Sequence, residues 1–192
     1  MLTLMLLLNL FMVDAQKITY TIDDVLSFQL SDGMRQKYKY GTFKGDKYVI
    51  PLSALMKNNI VFMPYDISTY SRVLIYYSKT SGLTQEILEN IGPVEIDYME
   101  PSYHDEIIER YGNSADFIWY PLSVKKVGNS YAIVRKFQRP AAVLGTSPVL
   151  VIDMQFYFKS CAFNIIVSYR TKEKELWEFQ MQSFINSINF KL

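Results

Sequence analysis

The chain offers few residues able to do covalent or acid–base chemistry: one histidine, one cysteine and nineteen carboxylates among 192 residues. His104 stands beside Asp105 and Glu106, with Asp97 and Glu100 upstream, a grouping that suggests a metal site or paired carboxylates flanking a glycosidic bond. Helical spacing argues against a shared ion, because neighbouring helix residues point about 100° apart. There is no second histidine and no HExxH or CxxC spacing, so no metal site and no catalytic residue is assigned. His104 reads instead as a solvent-exposed histidine near a helix start. A carboxylate-dependent hydrolase of cell-envelope material, drawing on Asp97, Glu100, His104 and Asp105, is the alternative function, and a polar cleft around those residues would favour it. Cys161 sits beside an aromatic strand without a signature joining it to His104, and reads as a structural thiol. A Gly-x-Ser-x-Gly elbow is missing, and Gly41-Thr42-Phe43-Lys44-Gly45 lacks the Walker spacing and its Lys-Ser/Thr ending, so no nucleotide or other cofactor is expected.

Binding chemistry is easier to place. From Met34 to Phe43 the tyrosines Tyr38 and Tyr40 alternate with Arg35, Lys37 and Lys39, giving the clearest positive strip in the chain. Lysines on an exposed strand discourage edge-to-edge pairing, and the same residues can hold an anion or an acidic glycan. Lys37, Tyr38, Lys39 and Tyr40 are therefore the candidate binding residues. Fifteen tyrosines and twelve phenylalanines suit both an aromatic core and a contact face, since tyrosine combines a rigid apolar body with a polar tip. A formal charge of +1 gives no electrostatic case for nucleic acid.

These side chains must be carried by extended segments and a few helices. In Val149–Lys159 the even positions Leu150, Ile152, Met154, Phe156 and Phe158 are apolar, while Asp153, Gln155 and Lys159 take the other parity, as in a half-buried strand. Phe163, Ile165, Val167 and Tyr169 repeat the pattern, with Lys159-Ser160-Cys161 as the turn. Thr171 is the expected N-cap of a closing helix in which Trp177, Met181, Phe184, Ile185 and Ile188 face the sheet. Upstream, Lys17–Ile22 and Phe28–Leu30 predict a strand pair, Met34–Phe43 one strand, Leu52–Met56 a short helix and Ile60–Met63 another strand. The nearly continuous apolar run Val73–Tyr77 predicts a central strand covered on both faces. Leu83–Ile91 reads as a helix capped by Thr84, Val94–Tyr98 as a strand, and Ser102–Tyr111 as a helix opened by a Ser102/Asp105 capping box and closed by Gly112. Phe117–Val124 and Gly128–Phe137 are further extended segments, joined by Lys125-Lys126 and a Gly128-Asn129 turn, and Pro140–Pro148 is a loop.

The closing strand and helix carry a resemblance. Ile166-Val167-Ser168-Tyr169, a charged cap, and Trp177 through Ser187-Ile188-Asn189-Phe190 resemble the C-terminal strand and helix of PsbP-like domains, best over residues 149–190. The resemblance implies a three-layer α/β (α+β) architecture, a mostly antiparallel sheet sandwiched by helices. It also implies a non-enzymatic binding or accessory role, with no shared catalytic set to carry over.

At the N-terminus, Leu2–Val13 is apolar apart from Thr3 and Asn9, and Val13-Asp14-Ala15 meets the small-residue rule for cleavage before Gln16, so residues 1–15 read as a signal peptide. The run falls short of the roughly 20 residues that span a bilayer, and no cysteine stands near the cleavage point to make a lipoprotein. A single cysteine excludes an intramolecular disulfide, and the absence of an Asn-x-Ser/Thr acceptor favours a bacterial periplasm or exterior. The expectation is one α/β domain over residues 17–192, periplasmic or secreted, that binds a protein or glycan of the envelope and has no membrane span once mature.

Overall fold

The computed structural model describes residues 17–80, 82–112, 117–141 and 146–191, so the signal-peptide segment and part of the Pro140–Pro148 loop lie outside the described residues. Its larger sheet has eight strands. Seven run in the order β3 (Met34–Gln36), β6 (Ile60–Pro64), β7 (Ser71–Lys79), β12 (Cys161–Arg170), β11 (Val149–Phe158), β10 (Ser130–Arg139) and β8 (Ile118–Trp119), and β9 (Ser123–Val127) also pairs with β10. All of these pairings are antiparallel. A five-stranded sheet, β13 (Asn189–Phe190), β2 (Leu26–Ser31), β1 (Lys17–Ile22), β5 (Lys47–Ile50) and β4 (Thr42–Lys44), contains the parallel pair β1–β5.

The sheet sandwiched by helices is as expected, and the alternating segments explain it. Phe163, Ile165 and Val167 of β12 and Val73 and Ile75 of β7 point into one core with the inner faces of β1 and β2. Trp177, Met181, Phe184 and Ile185 of α4 (Lys174–Ser187) close that core. On the opposite face Leu74, Val149, Val151 and Ile166 meet Ile107 of α3 (Pro93–Tyr111), and Ile133 meets Leu88 of α2 (Gln85–Asn90). The remaining helix, α1 (Leu52–Lys57), buries Leu55 in the first core. β7 is thus an inner strand covered on both sides, as its apolar run requires.

Several expectations need correction. Val94–Tyr98 is the opening of α3, not a strand: Gly92 is its N-cap, Pro93 takes the first helical position, and Gly92 N donates to Glu95 Oε2 at 3.0 Å. The helix continues through Pro101 because Pro101 and Asp97, the residue whose carbonyl loses its donor, are both exposed to water, so Ser102 is internal and caps nothing. Met34–Phe43 is divided between the two sheets as β3 and β4. Phe117–Val124 is likewise broken, and Lys125 and Lys126 are in β9 paired with β10, while Cys161 pairs with Phe158 and leaves Lys159-Ser160 as the turn. Thr171 opens a 3-10 turn before α4, its hydroxyl 2.8 Å from that of Ser147.

Two polar devices fix this arrangement. Arg135 and Asp153, direct partners on β10 and β11, are only 4% and 1% exposed. Arg135 donates to Asp153 Oδ2 at 2.6 Å and to Glu106 Oε2 of α3 at 2.7 Å, and Arg110 donates to Glu106 Oε1 at 2.6 Å. Burial raises the Asp153 carboxyl above its ordinary value, and the guanidinium groups of Arg135 and Arg110 offset only part of that rise. At the β9–β10 turn, Gly128 has φ +59° and packs so closely on the end of α4 that a Cβ would lie 1.7 Å from Ile188 O. Beside it, Asn129 Oδ1 accepts from Phe190 N at 2.8 Å, tying the hairpin to β13.

Candidate binding cleft between the sheet edges

The chain leaves the large sheet at Gln36 and enters the small one at Thr42, and the two sheet edges part around the connecting strap. Gly41 makes the bend with φ +92°, where an added Cβ would meet Val49 O at 1.9 Å, so no other residue fits there. Lys37 N donates to Val61 O at 2.8 Å, and Tyr40 N donates to Gln36 Oε1 at 2.8 Å, which holds the strap down at both ends.

Between these edges lies a cleft of about 780 Å³. Its inner wall is aromatic: Tyr20 of β1 stacks on Phe28 at 5.6 Å, meets Phe62 edge-on at 4.9 Å and leans on Tyr48 at 5.5 Å, and Phe43 stands edge-on to Tyr48 at 4.9 Å. The mouth is apolar and open, with Phe43, Tyr65 and Ile67 exposed by 63%, 59% and 90%. Arg35, Lys37 and Lys39 supply its charge, with no acidic residue in the lining. The Arg35 guanidinium covers the Tyr65 ring at 5.1 Å, and none of the three cations forms an ion pair among the described residues. Asp66, at the rim, accepts from Ser68 N at 2.8 Å and is held below the usual carboxylate range by its hydrogen bonds with Ser68.

Polar groups within the cleft are sparse. The Tyr48 hydroxyl is committed to Gly41 O at 2.9 Å. Burial, with Tyr65 and Tyr48 nearby, pushes the Tyr20 phenol up to about 12, so it stays neutral and can donate. Gln36 Nε2 is buried without a partner among the described residues. Such a site can take up an anion with an apolar body.

Of the four candidate binding residues, Lys37 and Lys39 line the cleft. Tyr38 is exposed beside it, with Lys37 Nζ over its ring at 5.4 Å, whereas Tyr40 is half-buried against the main core. The structure does not gather the acidic alternative into a cleft. Asp97 and Asp105 are exposed on α3, and His104 is in the middle of that helix, half-buried, with its ring 4.1 Å from that of Trp119. Glu100 Oε1 lies 3.9 Å from His104 Nε2 and accepts from Leu122 N at 2.9 Å. The space beside His104 is about 10 Å³, room for a single water. No three metal-ligating residues cluster among the described residues. Burial pushes the Cys161 thiol up, away from thiolate chemistry.

No protein-family model and no curated protein matches the sequence. Solved structures do. Cyanobacterial PsbP (CyanoP) of Synechocystis sp. PCC 6803 matches with a TM-score of 0.55 at 10% identity, over 92% of this chain and 93% of that one. The fold is PsbP-like. LpqN, involved in cell envelope biogenesis of Mycobacterium tuberculosis, matches with a TM-score of 0.51 at 12% identity, over 91% of this chain and 90% of that one. A protein of Bacteroides thetaiotaomicron matches over 90% of this chain at 10% identity and a TM-score of 0.48, and this chain spans about half of it, 48%. At these identities the likeness concerns the PsbP-like fold alone. The cleft is argued from its own residues.

The sequence exposes one side of the cleft and hides the other. Arg35, Lys37 and Lys39 stand out as a basic strip, but Tyr20, Tyr48 and Tyr65 come from three separate segments whose meeting no local pattern announces.

Proposed function

We propose that this is a periplasmic or secreted accessory protein of the cell envelope, a single domain over residues 17–192, which binds rather than transforms its ligand. Binding uses the face of Lys37, Tyr38, Lys39 and Tyr40, with the cleft behind it. The observation that carries this reading is the cleft: its volume lies within the range of small-molecule sites, it is walled by aromatic rings, and it is lined by three cations that form no ion pair among the described residues. The sequence of residues 1–15 supports export, and among the described residues no helix is long and apolar enough to cross a membrane. The envelope role stated for LpqN is compatible with it. The hydrolase alternative finds less support, since Asp97 and Asp105 face solvent and the space by His104 admits only about one water.

The test is capture from native envelope extract by protein beginning at Gln16, compared with Lys37→Glu/Lys39→Glu and Tyr38→Ser variants. A defined envelope protein, glycan or lipid retained by the parent and lost from the variants is the expected result. Equal capture by all three, or capture of nothing, overturns the assignment of binding to this face. Export is checked separately: the protein recovered outside the cytoplasm should begin at or near Gln16, and a retained Met1 refutes the signal peptide.

A further inference from the structure

We propose that the cleft holds one molecule of a single-chain anionic lipid, its phosphate or carboxylate head against Arg35, Lys37 and Lys39 and its chain along the aromatic wall. The inference rests on the reading of the protein as a binder and names the class of ligand.

Charge complementarity selects the head. Three cations line the cleft without an ion pair among the described residues and without a lining carboxylate, while the whole chain has a formal charge of only +1, so the positive potential is local to the cleft. These cations are exposed, and water and salt screen them, so a bare anion would be held only weakly. The wall selects the rest of the ligand. Tyr20, Phe43, Tyr48 and Met63 offer an apolar surface of aromatic rings and a thioether, which rewards burial of a hydrocarbon. An acidic glycan fits less well: each sugar brings several hydroxyls that need partners against a largely apolar wall, and the Tyr48 hydroxyl, which donates to Gly41 O, can only accept. The Tyr20 hydroxyl remains as a donor for the polar neck of one lipid. The recess lies between the edges of two sheets, and its volume of about 780 Å³ suits one small molecule.

The test titrates protein beginning at Gln16 calorimetrically with decyl phosphate below its micellar concentration, beside inorganic phosphate and decyltrimethylammonium. Expected are one-to-one binding of decyl phosphate with a negative heat-capacity change, and binding of both comparison compounds weaker by about tenfold or more. Lys37→Glu/Lys39→Glu should weaken decyl phosphate by about tenfold, and Phe43→Ser by about fivefold. Both sites are exposed, so the thermal midpoints should stay near that of the parent. Inorganic phosphate binding as tightly as decyl phosphate overturns the proposal in favour of an anion site. Equal binding of the cationic amphiphile, several amphiphiles per protein, or no binding of decyl phosphate overturns it too. If decyl phosphate fails while envelope capture still depends on Lys37 and Lys39, the lipid proposal falls and the binding-module reading stands.

Discussion

Removing either member of the Arg135–Asp153 pair should destabilise the protein far more than replacing both. The two side chains are direct cross-strand partners, almost fully buried, and their charged atoms lie 2.6 Å apart. At an effective dielectric of about 20, charge centres about 4 Å apart attract by about 4 kcal/mol, which offsets only part of the desolvation of the two ions. Asp153→Leu strands the Arg135 guanidinium with Glu106 alone at 2.7 Å, and Arg135→Met strands Asp153 with Arg110 at 3.7 Å. Each single variant should lose about 3–5 kcal/mol. The double variant should return to within about 1 kcal/mol of the parent, because Asp153 Oδ1 and Arg135 Nε lack partners among the described residues and the polar pair is incompletely satisfied. Glu106 would keep Arg110 at 2.6 Å and has a partly exposed side chain to share with water. Urea denaturation followed by far-UV circular dichroism and tryptophan fluorescence measures all four corners of the cycle. The expected coupling is about 5 kcal/mol or more, the difference between the sum of the single losses and the loss in the double variant. Single variants that each lose less than about 1 kcal/mol, or losses that simply add, would refute the view that this ion pair is desolvated and fastens α3 to the sheet.

Three further outcomes can be measured in the same way. Gly128→Ala and Gly45→Ala impose the same backbone penalty, at φ +59° and +62°, but only the first places a Cβ against backbone, 1.7 Å from Ile188 O. Gly45→Ala should lose about 1 kcal/mol and Gly128→Ala about 3 kcal/mol, and equal losses would mean that the hairpin does not press on the end of α4. Trp177, 5% exposed in the core, should lose about 3–5 kcal/mol on mutation to Ala, and a loss below about 1 kcal/mol would place that face of α4 elsewhere. Tyr20 has a folded-state value of about 12 against an ordinary 10.0, so its neutral form is favoured by folding: its contribution is complete below pH 10 and is lost as pH rises towards 12. Tyr20→Phe should therefore be less sensitive than the parent over that window, by about 2–3 kcal/mol, and identical pH profiles would show that the phenol is not desolvated.

The strands of the main sheet were legible in the sequence because their side chains obey a period of two and their turns are short. Leu150, Met154 and Phe156 do face one core, as their parity indicates. The same parity concealed Asp153, which a half-buried strand would give to solvent. Val149 and Val151 on its side of β11 were the available sign that this face is covered too, and α3 covers it. At the start of α3 the useful signal was Gly92-Pro93 with Glu95, a helix opening, and the exposed face of the helix tolerates Pro101 inside it. The small sheet was harder still. Its β1–β5 pair is parallel and joins segments separated by β2, β3 and β4, a pairing that no hairpin signal marks.

The cleft follows from one break in the chain. A continuous strand from Met34 to Phe43 would place Lys37 and Lys39 along a sheet edge, where their charge serves mainly to prevent aggregation. Gly41 allows a turn that no side chain could enter, so β3 ends at Gln36 in one sheet and β4 begins at Thr42 in the other. The strap between them then crosses the gap between the two sheets, and its lysines hang at the mouth of a space whose wall is Tyr20 and Tyr48. The Gln36 side chain is part of the same device, since its oxygen holds Tyr40 N and its nitrogen is left buried without a partner among the described residues. A buried amide donor without a partner costs about 1–3 kcal/mol, a cost accepted where the strap is tied down. The glycine that interrupts the strand, the amide left unpaired and the uncompensated lysines thus have one cause, a crossing strap that keeps the two sheet edges apart.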